Sequence, residues 1–218
     1  MTFGSEEQIM RPQAASAALE STAMRRAASL ITHGFTLIEL MIGLVVLVVL
    51  ITLGVPGMQG MIHSSRLSSA ANEVSGAVQV ARAEALRRNR SVLLCRSDDL
   101  ASCASGDVWS GWLVFVDTDN DGVVDSGEEV LKTGSIDAPL VMRASNAISS
   151  RSHIVGFRPN GLARGANEDA LLNATLAVCA PASNPPDNVR DVQISFGSRT
   201  SVRSRQTAGD CSAAPGDS

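Results

Sequence analysis

Tyrosine is absent from this 218-residue chain, and the five Phe and two Trp amount to only 3% of it. That shortage argues against a surface that stacks nucleic-acid bases on aromatic rings. Charge of one sign is also lacking. Lys+Arg 18 stand against Asp+Glu 22, a formal net of −4, which argues against a generally basic nucleic-acid coat but leaves room for a local patch. Lysine is nearly missing, since Lys132 is the single one among the eighteen basic residues. The histidines His33, His63 and His153 form no constellation with a nucleophile, and the four cysteines lack the C-x2–4-C spacing of a zinc site. Without a Ser/His/Asp, Cys/His or metal triad, the chain does not read as an enzyme.

What is present in excess is a greasy run. Hydrophobic residues are 44% of the sequence, too many for wholesale disorder, and the length allows one or two domains with a sizeable core. From Phe35 to Val55 the chain reads FTLIELMIGLVVLVVLITLGV, with Glu39 as the one ionisable group. A bilayer core ~30 Å thick takes about 20 apolar residues at 1.5 Å each, so the run is long enough to span. A soluble core helix is seldom apolar on every side, and a secretory signal core is shorter and followed by an A-x-A-like site that is missing here. Arg25 and Arg26 precede the run, which places the N-terminus in the cytoplasm and the rest of the chain outside. Glu39 is either hydrated among headgroups at the edge of the span or paired with a cation from another chain or a free amine.

The stretch His33-Gly34-Phe35-Thr36-Leu37-Ile38-Glu39 resembles the class III signal of type IV pilins and pseudopilins. The resemblance implies cleavage by a prepilin peptidase between Gly34 and Phe35, N-methylation of Phe35, and a Glu39 that becomes the fifth mature residue and meets the amine of a neighbouring subunit. The family's Pro at the twenty-second mature position corresponds to Pro56. The leader departs from the family's pattern: residues 1–34 are long and carry Glu6, Glu7 and Glu20, whereas Met24 to Gly34 would make a short basic leader. Met24 is therefore expected to be the true start, with 1–23 an extension.

Beyond the span, Pro56 and Gly57 predict a kink or local melting. Leu67, Ala70/Ala71, Val74, Ala77/Val78, Ala81 and Ala85 then recur at three- and four-residue steps, one stripe of an amphipathic helix. The whole helix is expected over residues 35–90, roughly 80 Å by its rise. Arg87, Arg88 and Arg90 read as compensation of its C-terminal dipole and a solvated face. From residue 91 to 218 short β-type runs follow: 91–95, 112–117, 129–133, 140–144, 153–158, 175–179, 189–196 and 200–205. No helical pattern separates them, so the expected fold class is α+β and pilin-like: a long N-terminal transmembrane helix packed on an antiparallel sheet. Trp109, Trp112, Phe115, Phe157 and Phe196 are expected to anchor the core beneath that helix.

Four cysteines in an exported body point to two disulfides. Cys95–Cys103 and Cys179–Cys211 is the favoured pairing among the three that four cysteines allow. Asp117, Asp119, Asp121, Asp125 and Glu128 match the calcium-loop pattern D-x-[DN]-x-[DN]-G-x5-E around Gly122, although the flanks read as strands and the same residues suit a plain hairpin tip. This segment, with the preceding Trp112–Phe115, also resembles the H-type minor pseudopilins and T/U-type minor pilins known as the GspH/FimT group, in which it commonly forms a hairpin. Near the C-terminus Arg199, Arg203 and Arg205 alternate onto one strand face that would suit phosphates. T-type minor pilins implicated in DNA uptake have a loosely similar segment; a solvated face, or one pairing with another subunit's acids, is the competing reading.

The sequence thus reads as a minor pilin or pseudopilin in the inner membrane, its single-pass helix 35–55 followed by a periplasmic head. It is expected to assemble with other pilins or pseudopilins in a type II secretion pseudopilus or type IV pilus. The alternative is a DNA-binding pilin.

Overall fold

The computed structural model describes residues 34–165 and 170–218, the side chains of 53–59 excepted. The leader, with Met24, the segment 1–23 and His33, lies outside the described residues. Among them the chain runs α1 (Leu37–Arg88), β1 (Ser91–Ser97), β2 (Val108–Trp109), β3 (Gly111–Asp117), β4 (Val130–Ser135), β5 (Val141–Ala144), α2 (Asn146–Ser149), β6 (Ile154–Phe157), β7 (Ala174–Cys179), β8 (Val189–Ser195) and β9 (Arg199–Arg205). The chain divides into two compact units, 1–44 and 45–218.

In the first unit α1 opens on a local signal. Thr36 precedes the helix, and its Oγ1 accepts the Glu39 N–H at 3.2 Å while its carbonyl accepts Leu40 N–H at 3.1 Å. A Thr followed three residues later by Glu is the sequence form of a capping box. Farther along, α1 is continuous through Pro56 and Gly57, so the local melting that the sequence allowed there as an alternative to a kink does not occur. A proline inside a helix removes only one ladder bond directly, and α1 has many turns on either side to hold the segment. Among the described residues no helix is long and apolar enough to cross a membrane.

The second unit carries two antiparallel sheets, where one was expected. Their orders are β4-β3-β1-β6 and β2-β5-β7-β8-β9. The predicted stripe of α1 is what they bury: Leu67, Ala71, Val74, Ala77, Val78, Ala81 and Ala85 share one cluster with Val92, Leu94 and Trp112 of the first sheet and Met142, Leu176, Val192 and Ile194 of the second. Small side chains on the helix leave room for large ones on the strands, which keeps the interior dense. Backbone closeness matters too. A Cβ on Gly134 in β4 would overlap the Trp112 ring on β3, so only glycine fits there.

All eight predicted strand runs form strands, with ends shifted by a residue or two, while β2 and α2 are additional. Trp109, Trp112 and Phe157 do anchor the main core. Phe115 does not lie beneath the helix: it is buried with Leu93, Cys95 and Leu113 in a separate small cluster, covered in part by Val124. Alternation along β3 explains this, because Phe115 faces opposite to Trp112, Val114 and Val116. Phe196 is no anchor at all. It is 72% exposed at the turn between β8 and β9, at φ 50° beside Gly197 at φ 78°.

Candidate functional site

The N-terminal motif is laid out as a short non-helical lead into a capped helix. Gly34, Phe35 and Thr36 precede α1, all are exposed, and Phe35 is 82% exposed. Among the described residues, a Cβ added to Gly34 would meet no atom within 4 Å. Glu39 sits in the first turn of α1, exposed, and favourable to the positive end of the helix dipole. Its place as the last residue of a Thr-x-x-Glu box was readable in the sequence beside the family motif.

The acidic segment joins β3 to β4 as a hairpin loop, the strand-flanked form of the two readings. Its carboxylates gather in two groups that share Asp119. One contains Asp117, Asp119 and Glu128 and the other Asp119, Asp121 and Asp125, with ligand oxygens within 4.8 Å of one another in each. This is the all-oxygen donor set that a hard cation takes. Part of that capacity is already used to shape the loop. Glu128 accepts Thr118 N–H at 2.6 Å and Asp125 N–H at 3.2 Å, Asp117 accepts Asn120 N–H at 2.7 Å, and Asp121 accepts Val123 N–H at 2.8 Å. Burial, above all, pushes the Asp117 carboxyl up from its ordinary range, and the charge of Asp121 raises that of Asp125.

The C-terminal arginines divide. Arg205 forms a bidentate pair with Asp191 on β8, at 2.7 and 3.0 Å, and that hydrogen-bonded charge raises its pKa. Arg199 and Arg203 are exposed on β9, the outermost strand of its sheet. The expected three-arginine phosphate face therefore offers two exposed guanidinium groups. The cluster at the end of α1 has Arg87 and Arg88 in the last turn and Arg87 and Arg90 exposed, as expected, but it also carries ion pairs. Arg88 binds Glu129 at 2.5 and 3.0 Å and Glu84 at 2.7 Å, and Arg87 binds Glu84 at 2.6 Å. Glu129 is 41 residues from Arg88, so only the folded register reveals this tie between helix and loop.

Cys95 is bonded to Cys103 and Cys179 to Cys211, each pair with Cα atoms 5.7 Å apart. The first bridge belongs to the small cluster around Phe115, and the second to a cluster of Ala177, Cys179 and Val189 on the second sheet. A cleft of about 790 Å³ borders the acidic loop, with Asp117 and Asp121 on its lining. The arginines that also line it, Arg151, Arg158 and Arg164, are already engaged.

Two family models match the sequence. The one described as type II transport protein GspH covers residues 70–198, and the prokaryotic N-terminal methylation motif covers residues 32–55. No curated protein matches the chain. Two crystal structures of the type IV minor pilin FimU from Pseudomonas aeruginosa are similar. The first, in space group P21, has 23% identity and a TM-score of 0.45, over 66% of this chain and 96% of that one. The second, in space group P65, has 22% identity and a TM-score of 0.43, over 65% and 99%. The DNA-receptor alternative draws no support from these matches.

Proposed function

The chain belongs to the GspH family of type II transport proteins and carries the methylation motif of prepilins, and on that premise we propose how this minor pilin-type structural subunit matures and assembles. Hydrolysis of the Gly34–Phe35 peptide bond frees an amine on Phe35, to which the same peptidase then transfers a methyl group from a sulfonium methyl donor, the nitrogen losing a proton and the donor leaving as a thioether. The apolar run from Phe35 to Val55 anchors the subunit in the inner membrane, with the sheet-bearing body in the periplasm. Glu39 supplies an acid near the cytoplasmic end of that run. An acid in lipid costs about 2.5–3.5 kcal/mol at mid-membrane, and a neighbouring subunit's N-terminal amine offsets that cost as the subunit enters a filament. The domain plan that follows is a leader to Gly34, a helix whose first half is the anchor, and a head from residue 91 onward.

The observation that carries the reading is the layout around the proposed cut. Gly34 and Phe35 are exposed and non-helical, immediately ahead of a helix capped by Thr36. A protease needs an accessible extended backbone, and the first turn beyond it is held by its own cap. A Cβ at Gly34 meets nothing among the described residues, so Gly34→Val tests recognition while sparing the packing of the head. The expected outcome in the native host is accumulation of uncut full chain, read by intact mass. Glu39→Gln is expected to be cut normally but to be lost from sheared filament fractions. Cleavage of Gly34→Val at the wild-type position, or filament entry of Glu39→Gln at the wild-type level, would defeat the respective step.

A further inference from the structure

We propose that the acidic β3–β4 loop of one copy docks on the outer edge of β9 in a second copy, joining the two heads through unlike surfaces. The inference rests on the filament-subunit reading and adds which surfaces meet. β9 pairs with β8 on one side, and among the described residues no strand pairs with its other side. Such an edge offers unpaired backbone groups to an incoming chain. Its side chains set the chemistry of the visitor. Arg199 and Arg203 are exposed, whereas Arg205 is neutralised by Asp191, so the accessible charge is positive toward the turn. Val202 is 40% exposed on the same strand and Phe196 is 72% exposed at its head. Phe196 is firmly placed: its N–H donates to Asn173 Oδ1 at 2.8 Å, and Gly197 N–H donates to the Leu172 carbonyl at 3.2 Å. A large apolar ring presented on fixed backbone is the usual form of an interface anchor.

The same chain carries the complement. Asp119, Asp121 and Asp125 are exposed in the β3–β4 loop with oxygens within 4.8 Å of one another, and their repulsion would ease beside a guanidinium group. Val123, 54% exposed, lies among them as an apolar counterpart to Phe196 and Val202. Loop and edge belong to the outermost strands of different sheets, since β4 ends one and β9 ends the other. Using both in one contact leaves a free loop on one copy and a free edge on the other. Repeated head to tail, contacts of this unlike-to-unlike kind form rings where the rotation closes and open helical assemblies where it does not. The competing explanation is that arginines on an edge strand only discourage stray pairing.

Ser201, exposed between the two arginines, is the place for a photo-crosslinking residue in the full chain, expressed in its native membrane. The expected product on irradiation is a two-copy adduct whose crosslinked peptide lies within 117–129. Arg199→Glu with Arg203→Glu should cut its yield about fivefold. Co-expressing a differently tagged copy with Asp119→Arg and Asp121→Arg should restore it between the two tags, which also shows that the edge variant is folded. Absence of the two-copy adduct, adducts only with other proteins, or a yield indifferent to charge reversal would overturn the proposal. The same gel reports removal of residues 1–34 by mass: cut chain without adduct sinks this contact alone, and uncut chain sinks the maturation scheme beneath it.

Discussion

Leu47 and Leu67 lie on the same helix, yet Leu47 is 51% exposed and Leu67 fully buried. Around Leu47, from Leu37 to Ile51, large apolar side chains cover every side of α1 and all are exposed. Around Leu67 the buried apolar residues keep to one face at three- and four-residue steps, and most are alanine, while Met61, Ile62 and Leu86 stay exposed. A helix apolar on every side has no polar face to turn toward water, whereas a single stripe has a sheet to meet. Size carries a second distinction. Alanines let two sheets close on the helix, while Leu, Ile and Val on the exposed half offer bulk without interlocking partners. The pattern of hydrophobicity, more than its amount, separates the two halves.

Leu67→Ala is the strongest way to break that contrast. A fully buried leucine truncated to alanine leaves a cavity, and the expected loss is about 3 kcal/mol. Trp109 and Trp112 are the two tryptophans of the chain and both are buried, so denaturant titration of their fluorescence in the full chain reports the head directly. A midpoint unchanged by Leu67→Ala would mean that the helix face does not hold the sheets.

Much of this architecture could be read in advance, for identifiable reasons. The stripe from Leu67 to Ala85 and the eight strand runs are local patterns, and each reappears as an element. Val108–Trp109 and Asn146–Ser149 were not legible, because two strand residues or four helical ones are too short to show a period. The split into two sheets was hidden as well: β1 pairs with β6 and β5 with β7 across long intervals, and nothing in a strand names its distant partner. Phe196 looked like the end of a strand, yet the Phe-Gly step supplies the turn and leaves the ring outside. Around the candidate sites, the motif at Gly34–Glu39 and the acids of 117–128 are contiguous and so were visible. Arg205 and Arg88 are engaged by Asp191 and Glu129, partners fixed only by register.

The far end of α1 gives a smaller test, one that sharpens the contrast by showing how the packed half is closed by charge. Arg87, then Arg88, hold the Glu84 carboxyl down at about 2 from an ordinary value of 4.5. A carboxylate with a lowered native value contributes stability that is complete above its unfolded value and lost as pH falls toward the native one. Stability should therefore decline between pH 4.5 and about 2, and Glu84→Gln should flatten that decline. Asp117 works in the opposite sense, since burial raises it and acid relieves the cost of its charge. Asp117→Asn should accordingly steepen the decline. Denaturant midpoints across this range, repeated at high salt to screen the exposed Glu84 pairs, would check both signs.

Leu47→Ala, the twin of the first substitution, has the smallest expected effect on the head. At 51% exposure the lost atoms leave no cavity, so the tryptophan midpoint should move by less than about 0.5 kcal/mol. A shift matching that of Leu67→Ala would show that this half is packed within the isolated chain, and the contrast between the halves would fail. Charge at the same site separates packing from lipid. Leu47→Asp should also spare the midpoint, but it puts an acid in the middle of the apolar run, where insertion costs about 2.5–3.5 kcal/mol more. Its expected signature is a head that unfolds like the parent's in a chain that alkaline extraction strips from membranes. Retention at the parent level would mean that the run 35–55 does not hold the protein by crossing the bilayer.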